Sequence, residues 1–538
     1  MAADLLLVNG RVHDGSTWRT DADAIAVRDG RIVAIGSDLP VAGDVVDLDG
    51  AWVLPGFHDA HVHPVQAGLE MNACDLSGGD DLDDYLRVIT AHVAAHPGAD
   101  WVVGGGWSMD AFPGGVPTAA PLDRLLPDRP VFLPNRDHHS AWVSSAALRL
   151  AGIDRSTPDP ADGRIERDAD GEPTGALHEG AMELVRRLVP PATAQEQTRA
   201  LLTAQAHLHS LGIVGWQDAL VGEGLGMADS LDTYLGAARD GSLTAKVVAA
   251  QWWDRARGLE QVAALVERRA RAASAGIDAG SVKIMQDGVC ETFTAAVIDP
   301  YLDRHGHATD NHGMTFIEAA ELAAYVQQLD ALDFQVHVHA LGDRAVRDSL
   351  DAIEHAVTVN GRRGNRHHLA HVQIVHPDDV ARFAALDVSA NAQPLWACLD
   401  DQMVDLTLPF LSEAARGQQY VFRSLLESGA RLAFGSDWPV SSPDPFGAMH
   451  VAVNRTAPGS PLPPLLGDQS LTVAEALEAY TRGSAWVSRM EQTSGRIAVG
   501  AAADLVVVDR DVLSVPADEI ADVRVLRTYV DGRCVHGG

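Results

Sequence analysis

Eight apolar runs of five to seven residues recur along the chain, and most of the spacers between them are rich in Ala, Leu and Arg and read as helices. They run from Trp52 to Phe57, Gly212 to Asp218, Ala245 to Gln251, Ser281 to Asp287, Gln335 to His339, His367 to Gln373, Val388 to Gln393 and Arg431 to Asp437. Buried strands that alternate with helices pair in parallel, and eight of them suit closure into a (β/α)8 barrel of the TIM type. The pattern therefore predicts an α/β fold of that kind. Catalytic groups of such barrels sit at the C-terminal strand ends. His, Lys and Asp are concentrated at those ends here.

With 538 residues, 46% hydrophobic and 21% charged, the chain is long enough for a barrel and a smaller satellite. The two ends supply the satellite. Leu5 to Val8, Ala24 to Val27 and Ile32 to Ile35 read as short strands with the turns Asn9-Gly10 and Asp29-Gly30, and Asp504 to Val508, Val523 to Val530 and Arg533 to Val535 repeat that texture. Neither end can bury a core alone, so residues 1–52 and 490–538 are expected to form one composite β-sandwich, with the barrel over 53–489. About 140 residues, 64–205, separate the first two strands, far more than one crossover helix needs. They are predicted to form an insertion over the barrel mouth.

Lys and Arg total 41 against 74 Asp and Glu, a net charge of −33, which repels phosphate backbones and anionic membranes. Nucleic-acid and membrane partners are thereby disfavoured, and a small-molecule substrate is expected. Cys74, Cys290, Cys398 and Cys534 are far apart and read as reduced, buried thiols. Leu5-Leu6-Leu7-Val8 is too short for a signal-peptide core and no later apolar run approaches membrane-spanning length, so a cytoplasmic location is expected. A homodimer is in keeping with such a barrel, although no segment marks an interface.

The first run leads into His58-Asp59-Ala60-His61-Val62-His63. On an extended backbone His61 and His63 point the same way and can grip one metal ion. Lys283 is unusual in an apolar strand, and two readings of it stand. It is either a neutral amine, able to act as base or nucleophile or to take up carbon dioxide as a metal-bridging carbamate, or a buried ammonium paired with an acid such as Asp287. In the sixth run His367, Leu369 and His371 share a face and His368 lies opposite. His339 and His371 end their strands and are the further ligand candidates, whereas the inner histidines suit packing and hydrogen bonding. The eighth run sets Ala433 and Gly435 on the face of Asp437, leaving room for a metal and an attacking water; an N-capping aspartate is the competing reading. The set suffices for one or two divalent ions, with His61 and His63 on one, His339 and His371 on a second, and Lys283 between them. Hydrolysis would proceed through a metal-bound hydroxide, with Asp437 moving the proton to the leaving group.

These residues resemble the metal-dependent amidohydrolase superfamily, specifically the amidohydrolase 3 group with its YtcJ-like proteins and N-substituted formamide deformylases. The likeness is carried by Pro55-Gly56-Phe57-His58-Asp59-Ala60-His61-Val62-His63, by Gly163-Arg164-Ile165 with Gly171-Glu172-Pro173-Thr174-Gly175, and by Val338-His339-Ala340-Leu341-Gly342-Asp343. It continues through His368-Leu369-Ala370-His371-Val372-Gln373, Gly435-Ser436-Asp437-Trp438-Pro439-Val440 and Ser494-Gly495-Arg496-Ile497. The resemblance implies a hydrolase barrel flanked by a sandwich, with zinc or another divalent ion at the mouth. It implies His61, His63, His339, His371 and Asp437 as metal-site residues and Lys283 as the lysine that many relatives carboxylate. Trp107, His139, Trp142 and Gln393 fall at family-like positions and are expected to line the substrate pocket. The expected activity is hydrolysis of a C–N bond, most naturally an amide, with N-substituted formamides one class. The alternatives are an esterase, lactonase or carbamate hydrolase on the same centre, and a non-catalytic metal-containing binding protein.

Overall fold

A computed structural model describes residues 3–37, 39 and 43–538. Its centre is an eight-stranded parallel sheet, β1 (Phe57–Val62), β2 (Ile213–Val221), β3 (Lys246–Trp252), β4 (Asp278–Met285), β5 (Gln335–Ala340), β6 (His368–His371), β7 (Ser389–Ala392) and β8 (Leu432–Phe434), hydrogen-bonded in chain order. Almost every residue of these strands is buried, as expected where side chains fill the barrel on one face and meet helices on the other. The outer layer is one continuous apolar cluster in which Val338, Leu369 and Phe434 pack against helix residues such as Val346, Ile353 and Tyr480.

Closure between β8 and β1 is made past the end of β8. Asp437 N donates to His61 O (2.7 Å) and His63 N donates to Trp438 O (2.9 Å). Gly435 is required there, because a Cβ would lie 2.6 Å from His61 N. The small residue thus lets two backbones meet, a role different from the expected one of leaving room for metal and water.

The expected first strand is in fact two. Trp52–Pro55 pairs antiparallel with Leu505–Val508 in a five-stranded sheet, and after Gly56 the chain enters β1. Gly56 sits tight at this corner, where a Cβ would meet Val214 Cγ1 at 2.4 Å. The five-stranded sheet faces a four-stranded one built from Leu5–Val8, Ala24–Arg28, Arg31–Gly36 and Asp44–Asp47, with Leu7, Ile25, Val53, Leu505 and Tyr529 in the core between them. The two termini therefore make the composite sandwich. It is pinned to the barrel by Lys246 Nζ, which donates to both oxygens of Asp504 (2.6 and 2.7 Å) and to Asp531 (2.8 Å).

Between β1 and β2 the chain builds a six-stranded mixed sheet from Cys74–Asp75 to Pro173–Glu179. It returns through the helix Ala194–Ser210, which opens on a capping box of Thr193 and Glu196. No helix among the described residues is long and apolar enough to cross a membrane. The four cysteines are unpaired, and three of them are buried.

Candidate metal centre

His61 lies on β1 and His63 just beyond it, and their Nε2 atoms are each 3.0 Å from Asp437 Oδ1. Among the described residues these three form a group whose ligand atoms all lie within 4.8 Å of one another. Asp437 reaches the group by a left-handed turn (φ 57°) three residues past β8, not on an extended strand as predicted, and it caps no helix. That turn is locked by Asp59, whose Oδ1 accepts from His61 N and Ser436 N (3.0 Å each) and whose Oδ2 accepts from Ser436 Oγ (2.6 Å). A non-glycine residue held in this strained conformation is a recurring mark of functional sites. Burial alone would raise the Asp437 carboxyl, but the two imidazoles against Oδ1 reverse this and hold it well below the ordinary range. Burial, aided by the Lys283 charge, keeps His61 far below its usual value, so its imidazole is neutral and its lone pair available.

His371 and His339 complete the mouth on the far side. Strict alternation would place His371 opposite His368, yet the left-handed backbone at His371 (φ 77°) and Val372 (φ 42°) breaks it. Both rings enter the barrel, His368 against His337 (centroids 4.1 Å apart) and His371 against His61 (4.7 Å) and His339 (4.5 Å). His371 Nδ1 is 3.9 Å from Asp437 Oδ2, and its ring stacks parallel on Trp396. His339 Nε2 lies 3.2 Å from Gly288 O. Lys283 on β4 stands beside His337 in the ladder, buried, with its amine pulled down to about 8 by desolvation. Asp287 is not its ion-pair partner. The Asp287 carboxylate accepts from Leu341 N, Gly342 N and Ala296 N (3.1, 2.9 and 3.0 Å), bracing the start of the helix Asp343–Asn360.

Beneath the mouth, His337 Nε2 lies 2.9 Å from His61 Nδ1. If His61 is to offer Nε2 to a cation, Nδ1 carries the proton and donates to His337, which fixes the tautomers of both rings. His368 Nδ1 in turn meets Asn391 Nδ2 (3.1 Å), whose amide also donates to Ala60 O (2.8 Å). The sequence pattern assigns the inner histidines to packing and hydrogen bonding and gives Asp59 no role of its own. The only signal for either was a second polar residue two or three places before each ligand.

A divalent ion fits this donor set. His61 Nε2, His63 Nδ1 and both His371 nitrogens are buried without a hydrogen-bond partner, and imidazoles gathered beside a carboxylate suit zinc or a similar cation. The sequence model of the Amidohydrolase family matches residues 44–536. This chain belongs to the amidohydrolase family. It is 30% identical over 98% of its length to N-substituted formamide deformylase of Arthrobacter pascens, of which 97% is covered. It is also 30% identical over 99% of its length to the protein LONG AFTER FAR-RED 3 of Arabidopsis thaliana, covering 91% of it. Among solved structures, an uncharacterised metal-dependent hydrolase from Pyrococcus furiosus superposes with a TM-score of 0.70 at 25% identity, over 95% of this chain and 100% of that one.

The insertion of this amidohydrolase contributes histidine, not tryptophan, to the mouth. Trp107 and Trp142 are fully buried in the insertion's own core with Phe112 and Leu133, and their indole N–H groups donate to Leu133 O and Thr118 O (2.7 Å each). Both rings are enclosed by that core and not exposed in a pocket, which differs from the expectation drawn from their sequence positions. His139 does face the centre, its ring 5.8 Å from that of His339. Gln393 directly follows β7, fully buried, with both amide atoms unpartnered.

Proposed function

We propose that this amidohydrolase cleaves the C–N bond of an amide with the help of a divalent ion, zinc by choice of ligands, held first by His61, His63 and Asp437. The observation that carries this reading is the convergence of two imidazoles on one buried carboxylate at the mouth of a hydrolase barrel. The bound ion would polarise the carbonyl and lower the pKa of a water to roughly 7. Asp437 Oδ1 lies 3.0 Å from both histidines and is bonded to His63, so Oδ2 is the atom left to take the water's proton and pass it to the leaving nitrogen. His371, next to that oxygen, and His339 extend the donor set toward Lys283. A buried amine held near 8 is neutral often enough to be carboxylated, and Lys283 in that form would bridge a second ion. The deformylase relative supports N-substituted formamides as the first substrates to try.

In this reading the barrel and its insertion (64–205) are the hydrolytic unit, and the sandwich of both termini is its support, joined at Gly56. The deciding experiment measures metal content and the hydrolysis of N-benzylformamide, p-nitroacetanilide and p-nitrophenyl acetate before and after dialysis against a chelator. Loss of amide turnover on removing the ion and recovery with added zinc is the expected result. Undiminished turnover by metal-free protein rules the reading out, and turnover of the ester alone moves it to an esterase.

A further inference from the structure

Glu179 ends the last strand of the insertion with a backbone (φ 51°, ψ −131°) that non-glycine residues seldom adopt. Its N–H donates to His139 O (3.0 Å), and its carboxylate oxygens lie 2.9 and 3.0 Å from His139 Nδ1. Oε1 also accepts from Thr294 Oγ1 (2.8 Å), in the segment that follows β4. Glu179 packs against Gly288 of the same segment so closely that a Cβ there would sit 2.7 Å from Oε1, and the carbonyl of Gly288 is the one beside His339 Nε2. One carboxylate therefore joins the insertion, the β4 segment and the metal-site wall.

With Nδ1 held by Glu179, Nε2 is the His139 atom free to face the mouth. A carboxylate with both oxygens within 3.0 Å of a ring nitrogen accepts a proton held at Nδ1, and a ring protonated at Nε2 as well is an imidazolium with N–H on both nitrogens. Burial pulls His139 down, but the charge and hydrogen bonds of Glu179 more than offset this and hold it up at about 9. Asp137, whose Oδ1 accepts from His139 N (2.8 Å), and Asp437 add to the same field, while His138, His339 and His371 are held neutral by burial.

We propose that Glu179 is a positioning residue that holds His139 with its Nε2–H directed at the carbonyl oxygen of the scissile group. This rests on the hydrolytic reading above and adds to it a protein donor for the negative charge that builds on that oxygen. Such a donor acts mainly on turnover. Losing one costs on the order of 10²–10³ in kcat.

The test is Glu179→Gln in the full-length zinc-loaded protein, followed by ring ¹⁵N spectra of histidine, metal content, and kcat and KM on whichever of the three probes the wild type turns over fastest. The expected result is a His139 ring protonated at both nitrogens in the wild type at pH 7.5 and at one in the variant. Metal content should be unchanged, with kcat lower by about 100-fold and KM by less than about threefold. Thr294→Val, which removes the hydroxyl that braces Glu179 and that also bonds Val289 and Thr292, should lower kcat by about tenfold and serves where the glutamine variant folds poorly. A singly protonated His139 ring in the wild type, unchanged kcat in both variants, or loss of metal in either overturns the proposal. If the wild type hydrolyses none of the probes, the hydrolytic reading fails by itself, and the ring spectra still decide whether Glu179 holds an imidazolium.

Discussion

The two sides of the barrel mouth are built differently. At the seam between β8 and β1, Asp59, Gly435 and two backbone hydrogen bonds leave His61, His63 and Asp437 almost no freedom, and three ligand atoms meet there. On the wall formed by β4, β5 and β6, Lys283, His339 and His371 are spread out. His339 Nε2 is turned to a carbonyl, and His371 touches the seam through its ring contact with His61 and a 3.9 Å approach to Asp437, without a hydrogen bond. Side chains fixed by the closure of the barrel are pre-organised, and those of the wall are less so. In the proposed reading the seam is therefore the primary site and the wall the adjustable one.

The largest effect should come from removing the charge that organises the seam. Asp437→Asn keeps the side-chain volume, so the fold should survive by circular dichroism, while kcat falls by about 10²–10⁴-fold. Retained activity in a folded variant would break the distinction between the two sides. Metal analysis sharpens it further: His61→Ala should emerge from dialysis without its ion, and His339→Ala should keep at least one. Equal loss in both would mean that the wall is as essential to the primary site as the seam. A smaller change is expected from His337→Leu, which leaves every proposed ligand in place and removes only the acceptor for His61 Nδ1. Competition with a chromophoric chelator should show affinity lower by about 10–100-fold.

The side chains of the wall and the seam could be placed from the sequence because they stand at or just past strand ends, and strand ends are marked by apolar runs. The barrel, the sandwich of both termini and the position of the insertion follow from the same runs. What escaped is where the backbone leaves regular geometry. The period of two set His371 with Leu369 and opposite His368, although both histidine rings enter the barrel, because nothing in His368-Leu369-Ala370-His371 announces a left-handed residue. Asp437 looked like part of a straight strand for the same reason. Trp107 and Trp142 look alike in sequence whether they line a pocket or fill a core, and only the six-stranded sheet beneath them decides that. His138 and His139 are adjacent and indistinguishable by type. Their glutamates, Glu70 and Glu179, come from opposite ends of the insertion.

That adjacent pair carries the contrast between seam and wall into the insertion, and it supports the smallest prediction. His139 faces the wall as a charged partner of Glu179. His138 lies on the His63 side, 3.2 Å from Glu70 without hydrogen-bond geometry. Burial pushes the Glu70 carboxyl up to about 8 and His138 down to about 3, so both are uncharged at neutral pH. The difference is one of hydrogen bonding: Glu179 has His139 and Thr294, whereas Glu70 has only the Gln66 amide at 3.4 Å. Because Glu70 holds a proton in the folded state that the unfolded chain releases above pH 4.5, the wild type loses stability relative to Glu70→Gln as pH rises from 4.5 to 8, and the gap is complete above 8. Thermal melts of the two proteins should therefore coincide near pH 4.5 and separate by a few degrees, about 1–3 °C, at pH 8, with the variant the more stable. A separation of the opposite sign at pH 8 would mean that Glu70 is ionised and paired with His138, and the seam side would then be charged in the same way as the wall.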